Sequence, residues 1–234
     1  MGADARTGVT PERTDGSGLG ADAPPARPLL AGVLVGPFYL VVGLVQALLR
    51  EGFDLARHPL SVLANGPGGW VQTANFVLSG ALVIAAAIGL RGLLGPPARM
   101  TGWLLIGFGA SMLVAAVFPA DPVDGFPVGT PKGPPTSISS TGLTHFIAGA
   151  LGFTCLGASA LAAARALSRA GESSLARLSL GSGIVVLAGF FAGPVLSSVV
   201  PLTLGIWISV VVGWALSMTV SNCTEITGEI VHSG

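Results

Sequence analysis

Charge is what this 234-residue chain has least of: Asp, Glu, Lys and Arg together make up 9% of it, against about 25% in an average soluble protein. The eleven basic and eleven acidic residues cancel to a formal net charge of zero. So little charge cannot cover the surface of an ordinary soluble enzyme, and the neutral balance excludes a nucleic-acid binder that works by bulk positive potential. Cysteine is nearly absent too. Cys155 lies within an apolar run and Cys223 follows the last one, depths at which a disulfide between them is not expected. No C-x-x-C, H-x-x-x-H or H-E-x-x-H spacing occurs, so neither a thiolate zinc site nor a helical zinc-protease motif is indicated, and no cofactor is implied.

What the chain has in abundance is apolar length. Hydrophobic residues make up 51% and the mean hydropathy is +0.77. Residues 1–28, rich in Gly, Ala, Pro, Asp and Arg, carry no apolar periodicity and read as a disordered tail rather than a signal peptide. Beyond them, six apolar runs fall at 29–49, 71–90, 102–118, 143–164, 178–199 and 202–220. A hydrocarbon core of roughly 30 Å takes about 20 helical residues to cross, so the expectation is an all-α integral membrane bundle of six transmembrane helices over 29–220, with a short tail at 221–234. Pro194 and Pro201 divide the last two runs. Gly32-x-x-x-Gly36 and Gly189-x-x-x-Gly193 are small-residue spacings suited to close helix packing.

The basic residues set the orientation. With both tails cytoplasmic, the inner segments hold Arg6, Arg13, Arg27, Arg91, Arg99, Arg165, Arg169 and Arg177, and the outer ones only Arg50, Arg57 and Lys132. That imbalance follows the excess of Lys and Arg on the cytoplasmic side of membrane proteins, which places the chain in a cell membrane, multi-pass, with membrane lipids as partners and no nucleic acid. Trp70 and Trp103, at helix ends, suit the membrane interface, and the segment 165–178 reads as a basic loop facing lipid phosphates.

In this orientation the loops 51–70 and 119–142 both face outward. They carry Glu51, Asp54, Arg57, His58, Asp121, Asp124 and Lys132, and the adjoining helix ends carry Gln46, Gln72, Asn75, Thr144 and His145. The helix middles offer almost no ionisable group, which weighs against an ion-coupled small-molecule transporter with a midplane site. His58, Asp121, Asp124 and His145, with Gln72 and Asn75, therefore form the candidate outer-face site. Two histidines with carboxylates could hold a metal or act as an acid–base pair in a membrane enzyme working on a lipid or isoprenoid head group. The plainer alternative makes the histidines interfacial hydrogen-bonding residues and puts Asp121-Pro122 and Asp124-Gly125 in turns. A polar pocket taking a small-molecule or lipid ligand lies between these readings. Ser61 reads as a turn or cap residue, and Asn222-x-Thr224, on the inner side, as a chance match to the glycosylation pattern.

The outer-loop residues also carry a resemblance. His58-Pro59-Leu60-Ser61-Val62-Leu63-Ala64-Asn65-Gly66-Pro67, continuing through Gly69-Trp70-Val71-Gln72 to Asn75-Phe76, is similar to the bacterial membrane family called domain of unknown function 998. So is Phe118-Pro119-Ala120-Asp121-Pro122 to Gly125, followed by Gly142-x-x-His145. The resemblance spans roughly residues 30–220 and implies a multi-span protein, usually of six helices, whose signature residues lie on the outer face. It brings no assigned activity. The longer Pro-rich stretch 127–135 departs from the motif.

The orientation is directly testable. Thr130→Cys, in a chain freed of Cys155 and Cys223, should react with a membrane-impermeant thiol reagent applied to intact cells; reaction only after the cytoplasmic side is opened would reverse the assignment.

Overall fold

In the structure, a computed structural model, residues 26–93, 96–133, 135–169 and 171–196 are described. They contain five long helices: α1 (Ala26–Leu49), α2 (Trp70–Leu93), α3 (Pro96–Val117), α4 (Ser140–Arg169) and α5 (Ser173–Leu196), with one 3₁₀ turn at Leu60–Ala64. Among the described residues there is no strand, only an isolated bridge between Val123 and Phe126. Helices α2 to α5 each contain a stretch long and apolar enough to cross a membrane, and α1 adds a shorter apolar stretch, Leu34–Leu49. The sixth expected span, 202–220, lies outside the described residues, as do both tails apart from residues 26–28, with which α1 begins.

All five helices begin ahead of their apolar runs, and α2 and α4 also run past them at the far end. α4 has 30 residues, about 45 Å at 1.5 Å per residue, well beyond a hydrocarbon core of roughly 30 Å. Hydropathy marks the buried stretch, whereas capping decides where a helix stops. α4 opens on Ser139, whose Oγ accepts the Gly142 N–H at 2.9 Å, the usual N-cap bond. It closes on Gly171 at φ +86°, where Glu172 N–H donates to Leu167 C=O at 3.0 Å and Gly171 N–H to Ser168 C=O at 3.2 Å, the paired bonds of a Schellman ending. α3 stops at Val117, ahead of Phe118-Pro119, because a residue preceding proline is pushed out of the α region.

Each helix packs on its chain neighbours, α1 on α2, α2 on α3, α3 on α4 and α4 on α5. One apolar cluster joins all five: Val35, Val83, Ala87, Leu90, Leu105, Leu156 and Val186. α2 shows the inside-out distribution of a membrane helix. Gln72, Asn75 and Ser79 are fully buried, while Val77, Leu78 and Ile88 face outward. In water such an exposed apolar surface would promote association; against lipid chains it costs nothing.

Glycines set the helix spacing. A Cβ on Gly80 would lie 2.8 Å from the Gly109 carbonyl oxygen, and one on Gly109 would lie 2.7 Å from that of Gly80. The α2 and α3 backbones thus touch at this pair. Likewise, a Cβ on Gly183 of α5 would lie 2.9 Å from the Gly157 carbonyl of α4. These contacts fall at glycines other than the two G-x-x-x-G pairs. Gly80→Ala or Gly109→Ala must force α2 and α3 apart, and each should destabilise by about 1–3 kcal/mol. Gly181→Ala, with open space around its Cβ, should be neutral or slightly stabilising. Unfolding of the purified protein in detergent separates the two classes, and equal effects would show that the backbone contact does not matter.

Candidate functional site

The connections α1–α2 and α3–α4 meet at one end of the bundle and lock into a cap. Its centre is Phe126, fully buried. Phe53 stands edge-on to it at 5.1 Å between ring centroids, His58 lies at 5.6 Å, and the Arg50 guanidinium sits 5.2 Å above its ring. Ala47, Leu60, Val62 and Leu63 complete this small core. Arg50 also donates to the Leu63 carbonyl at 3.1 Å and to that of Asn65, tying the end of α1 to the 3₁₀ turn.

His58 is completely buried in the cap. The Asp54 N–H donates to its Nδ1 at 2.9 Å, so that nitrogen is an acceptor and the ring proton resides on Nε2. Nε2 in turn donates to the Asp124 carbonyl, 3.1 Å away and 66 residues further along the chain. Both ring nitrogens are thereby used in joining the two loops. Arg57 makes the same connection outside: its Nε pairs with Asp54 Oδ2 at 2.9 Å and its Nη1 with Asp124 Oδ2 at 3.3 Å. The Ala56 N–H and then Arg57 hold the Asp54 carboxyl below the usual carboxylate range. Asp124, at φ +45°, keeps its turn by accepting the Gly133 N–H on Oδ1 at 2.8 Å. Asn65 donates to the Ala120 carbonyl at 2.8 Å, a third link between the loops.

Asp121 and His145 sit at the α3–α4 junction. Asp121 accepts the Ser139 N–H at 2.9 Å and the Ser139 hydroxyl. A carboxylate at the start of α4 also meets the positive end of the helix dipole. Gly142 is glycine because a Cβ there would run into that carboxylate. His145 Nδ1–H donates to the Phe118 carbonyl at 2.8 Å, just past the end of α3, and its ring stands edge-on to Phe76 at 6.1 Å. The structure therefore brings His58 to Asp124 through a backbone carbonyl and gives Asp121 and His145 partners of their own. Among the described residues, no three His, Cys, Asp or Glu side chains gather as a metal-binding group.

Below the cap, a buried chain of polar side chains runs between α1 and α2. Ser79 Oγ donates to Asn75 Oδ1 at 3.3 Å. Asn75 Nδ2 donates to the Tyr39 carbonyl at 3.1 Å and to Gln72 Oε1 at 3.3 Å. Gln72 Nε2 donates to the Tyr39 hydroxyl at 3.4 Å. Gln46 Nε2 donates to Gln72 Oε1 at 2.8 Å and to the Val42 carbonyl at 3.2 Å. Because both neighbours of the Gln46 nitrogen are acceptors, its amide cannot be turned over. Its Oε1 then points away, buried and without a partner. Gln72 and Asn75 were in the sequence-derived set; Gln46, Tyr39 and Ser79 complete it. Their signal is the spacing 72, 75, 79 on one helix face and the lone Gln46 in an apolar run.

With this geometry in hand, the chain is placed in a class, that of helical proteins built to sit in a membrane. The family described as "Protein of unknown function (DUF998)" matches residues 33–221, and the chain belongs to that family. No curated protein and no solved structure matches it.

His58→Ala should be among the most destabilising changes in the cap. It strands the Asp54 N–H and the Asp124 carbonyl, at roughly 1–3 kcal/mol for each buried unsatisfied group, and leaves a hole beside Phe126. His145→Ala, at a half-buried ring with one bond, should cost less. Thermal unfolding in detergent gives the order, and a milder effect at His58 would contradict the locking role.

Proposed function

We propose that this protein is a non-catalytic, six-span protein of the bacterial cell membrane with both termini cytoplasmic. Its outward end binds a small polar ligand beneath the loops 51–70 and 119–142. The observation that carries this reading is the Gln46 Oε1 atom. A buried acceptor without a donor costs about 1–3 kcal/mol, and here it sits at the cap end of a hydrogen-bonded chain whose other amide orientations are set. A ligand offering an N–H or O–H would satisfy it, with Gln72 and Asn75 holding the floor of the pocket. No carboxylate belongs to this chain of side chains, so a neutral hydroxyl or amide fits as well as a cation.

The same geometry argues against His58, Asp121 and Asp124 as catalytic groups. A general base needs a free lone pair within reach of substrate. Both His58 nitrogens are bound to backbone groups, and the Asp121 and Asp124 carboxylates accept loop N–H groups. A lipid or isoprenoid head-group enzyme would have to break the cap to use them, and would be left with His145, whose Nε2 is free while its Nδ1–H is given to the Phe118 carbonyl. A transporter would need the buried chain to open to the other face as well.

Gln46→Cys, with Cys155 and Cys223 replaced by Ala, tests the pocket. A small cationic thiosulfonate added outside intact cells should modify residue 46, and Ser79→Cys, about two turns deeper on α2, should react far more slowly. Reaction at 46 only in denatured protein would end this reading. Equal reaction at both depths from either side would turn it towards transport.

A further inference from the structure

Three side chains reach from the first loop to the second with hydrogen bonds or an ion pair: His58, Arg57 and Asn65. Only one of them titrates near neutrality. The Asn65 amide does not ionise, and a guanidinium stays charged at any pH a protein meets. The Asp54 carboxyl, which Arg57 grips, is held below the usual carboxylate range, first by the Ala56 N–H and then by Arg57. It stays ionised where an imidazole changes charge. Any pH dependence of the closure near neutrality therefore falls on His58.

Both bonds of His58 require the neutral ring. Nδ1 faces the Asp54 N–H at 2.9 Å, a group that can only donate. A second proton on the ring would set N–H against N–H. No nearby carboxylate oxygen stands free to take that proton's bond. Asp54 Oδ1 accepts the Ala56 N–H and its Oδ2 is paired with Arg57; Asp124 Oδ1 accepts the Gly133 N–H and its Oδ2 is paired with Arg57. The cations around the ring are Arg57 itself and Arg50, which lies over the same Phe126 ring that His58 faces. Asp121 is engaged by Ser139, and Glu51 and Lys132 are exposed. The rest of the surroundings is apolar: Phe53 at 5.3 Å between centroids, Phe126, and the cluster of Leu60, Val62 and Leu63. With the loops parted, the same imidazole is in water, where it takes up a proton below about pH 6.5. Above that pH the open and closed caps carry the same neutral ring, and their balance does not change. Below it opening takes up one proton, so the open share grows by up to about tenfold per pH unit.

We propose that His58 is a pH-sensitive latch between the loops 51–70 and 119–142: acid on the cap side protonates its ring at Nδ1, breaks the bond to the Asp54 N–H and releases the loops. The proton comes from water and returns to it, so the latch is reversible. Opening also admits solutes to Gln46 beneath the cap, a second step that rests on the reading of Gln46 Oε1 given above.

The experiment uses the full-length chain in detergent, with His145→Gln and His232→Gln, so that His58 is the one imidazole left of three. Hydrogen-exchange protection factors, which remove the intrinsic pH dependence of exchange, are measured over 51–58 and 122–133 at pH 7.5 and 5.0. Protection of both loops should fall on acidification, by up to about thirtyfold for one proton, while α2 to α4 keep theirs. His58→Gln retains one acceptor and one donor but cannot titrate, and should abolish the difference. Nitrogen-15 spectra of the His58 ring keep the test decisive if that variant does not fold. They should show the Nε2–H tautomer at pH 7.5 and the cation appearing together with the loss of protection. Equal protection at the two pH values, protection lost while the ring stays neutral, or the same pH dependence in His58→Gln would overturn the latch. Thiosulfonate labelling of Gln46→Cys, with Cys155 and Cys223 replaced by Ala and rates taken relative to free cysteine at each pH, tests the second step and should rise in parallel. Loops that open with residue 46 unreactive at both pH values would keep the latch and reject the pocket. Steady labelling of residue 46 with loops that never open would keep the pocket and reject the latch.

Discussion

The contact between Gln46 and Gln72 is the one on which the arrangement of this bundle turns. In hydrocarbon there is no water to take up a stray amide, so polar side chains there must find partners inside the protein. Gln46 of α1 and Gln72 of α2 meet at 2.8 Å, and only one alignment of the two helices brings them together. Sliding α1 by a turn would break that bond, take the Tyr39 hydroxyl from Gln72 Nε2 and pull Asn75 away from the Tyr39 carbonyl, its partner at 3.1 Å. Apolar packing between membrane helices tolerates such a slip, because lipid and protein surfaces are about equally apolar. The polar chain does not. Register between α1 and α2 in turn places Arg50 at the mouth of the cap, where it holds the Leu63 and Asn65 carbonyls, and so determines where the first loop can dock on the second.

From that anchoring the remaining helices follow by a different device. Between α2 and α3, and between α4 and α5, glycines bring backbone against backbone, as the Gly80–Gly109 and Gly157–Gly183 approaches show. The described helices thus use two kinds of glue, an amide chain at the α1–α2 seam and small-residue contacts further along. The first is specific and directional. The second is steric: the backbones come this close only in the register that sets glycine against glycine.

Much of this was legible in the chain. The apolar runs foretell α1 to α5, because a helix in lipid needs a length of apolar side chains that nothing else in a protein requires. Their ends were not legible from hydropathy, since Ser139, Gly171 and Phe118-Pro119 act through backbone geometry rather than through apolar content. The gathering of polar residues at one end was visible too, and Gln72 and Asn75 proved to be part of a connected chain. The particular work of His58 and Asp121 was not. His58 answers to a carbonyl 66 positions away and Asp121 to Ser139, 18 positions on. Such pairings depend on how two loops fold against each other, and no local spacing encodes them.

Titratable residues clustered on a membrane face serve two ends, closing the loops and doing chemistry. A loop that leaves the bilayer must satisfy its own N–H and carbonyl groups, and the residues best able to do so are Asp, Asn, Ser, His and Arg, the same ones a catalytic site would use. Composition therefore cannot tell the two apart; occupancy of the individual atoms can. In the cap, His58, Asp54, Asp121 and Asp124 have their nitrogens and oxygens committed to backbone groups, to the Ser139 hydroxyl and to Arg57. His145 keeps its Nε2 free, its Nδ1–H being given to the Phe118 carbonyl, and among the described residues the buried uncommitted atoms are Gln46 Oε1, Arg91 Nε and Thr101 Oγ1. Unfilled bonding capacity, more than the number of titratable side chains, separates a place where a ligand can bind from a loop that has closed on itself.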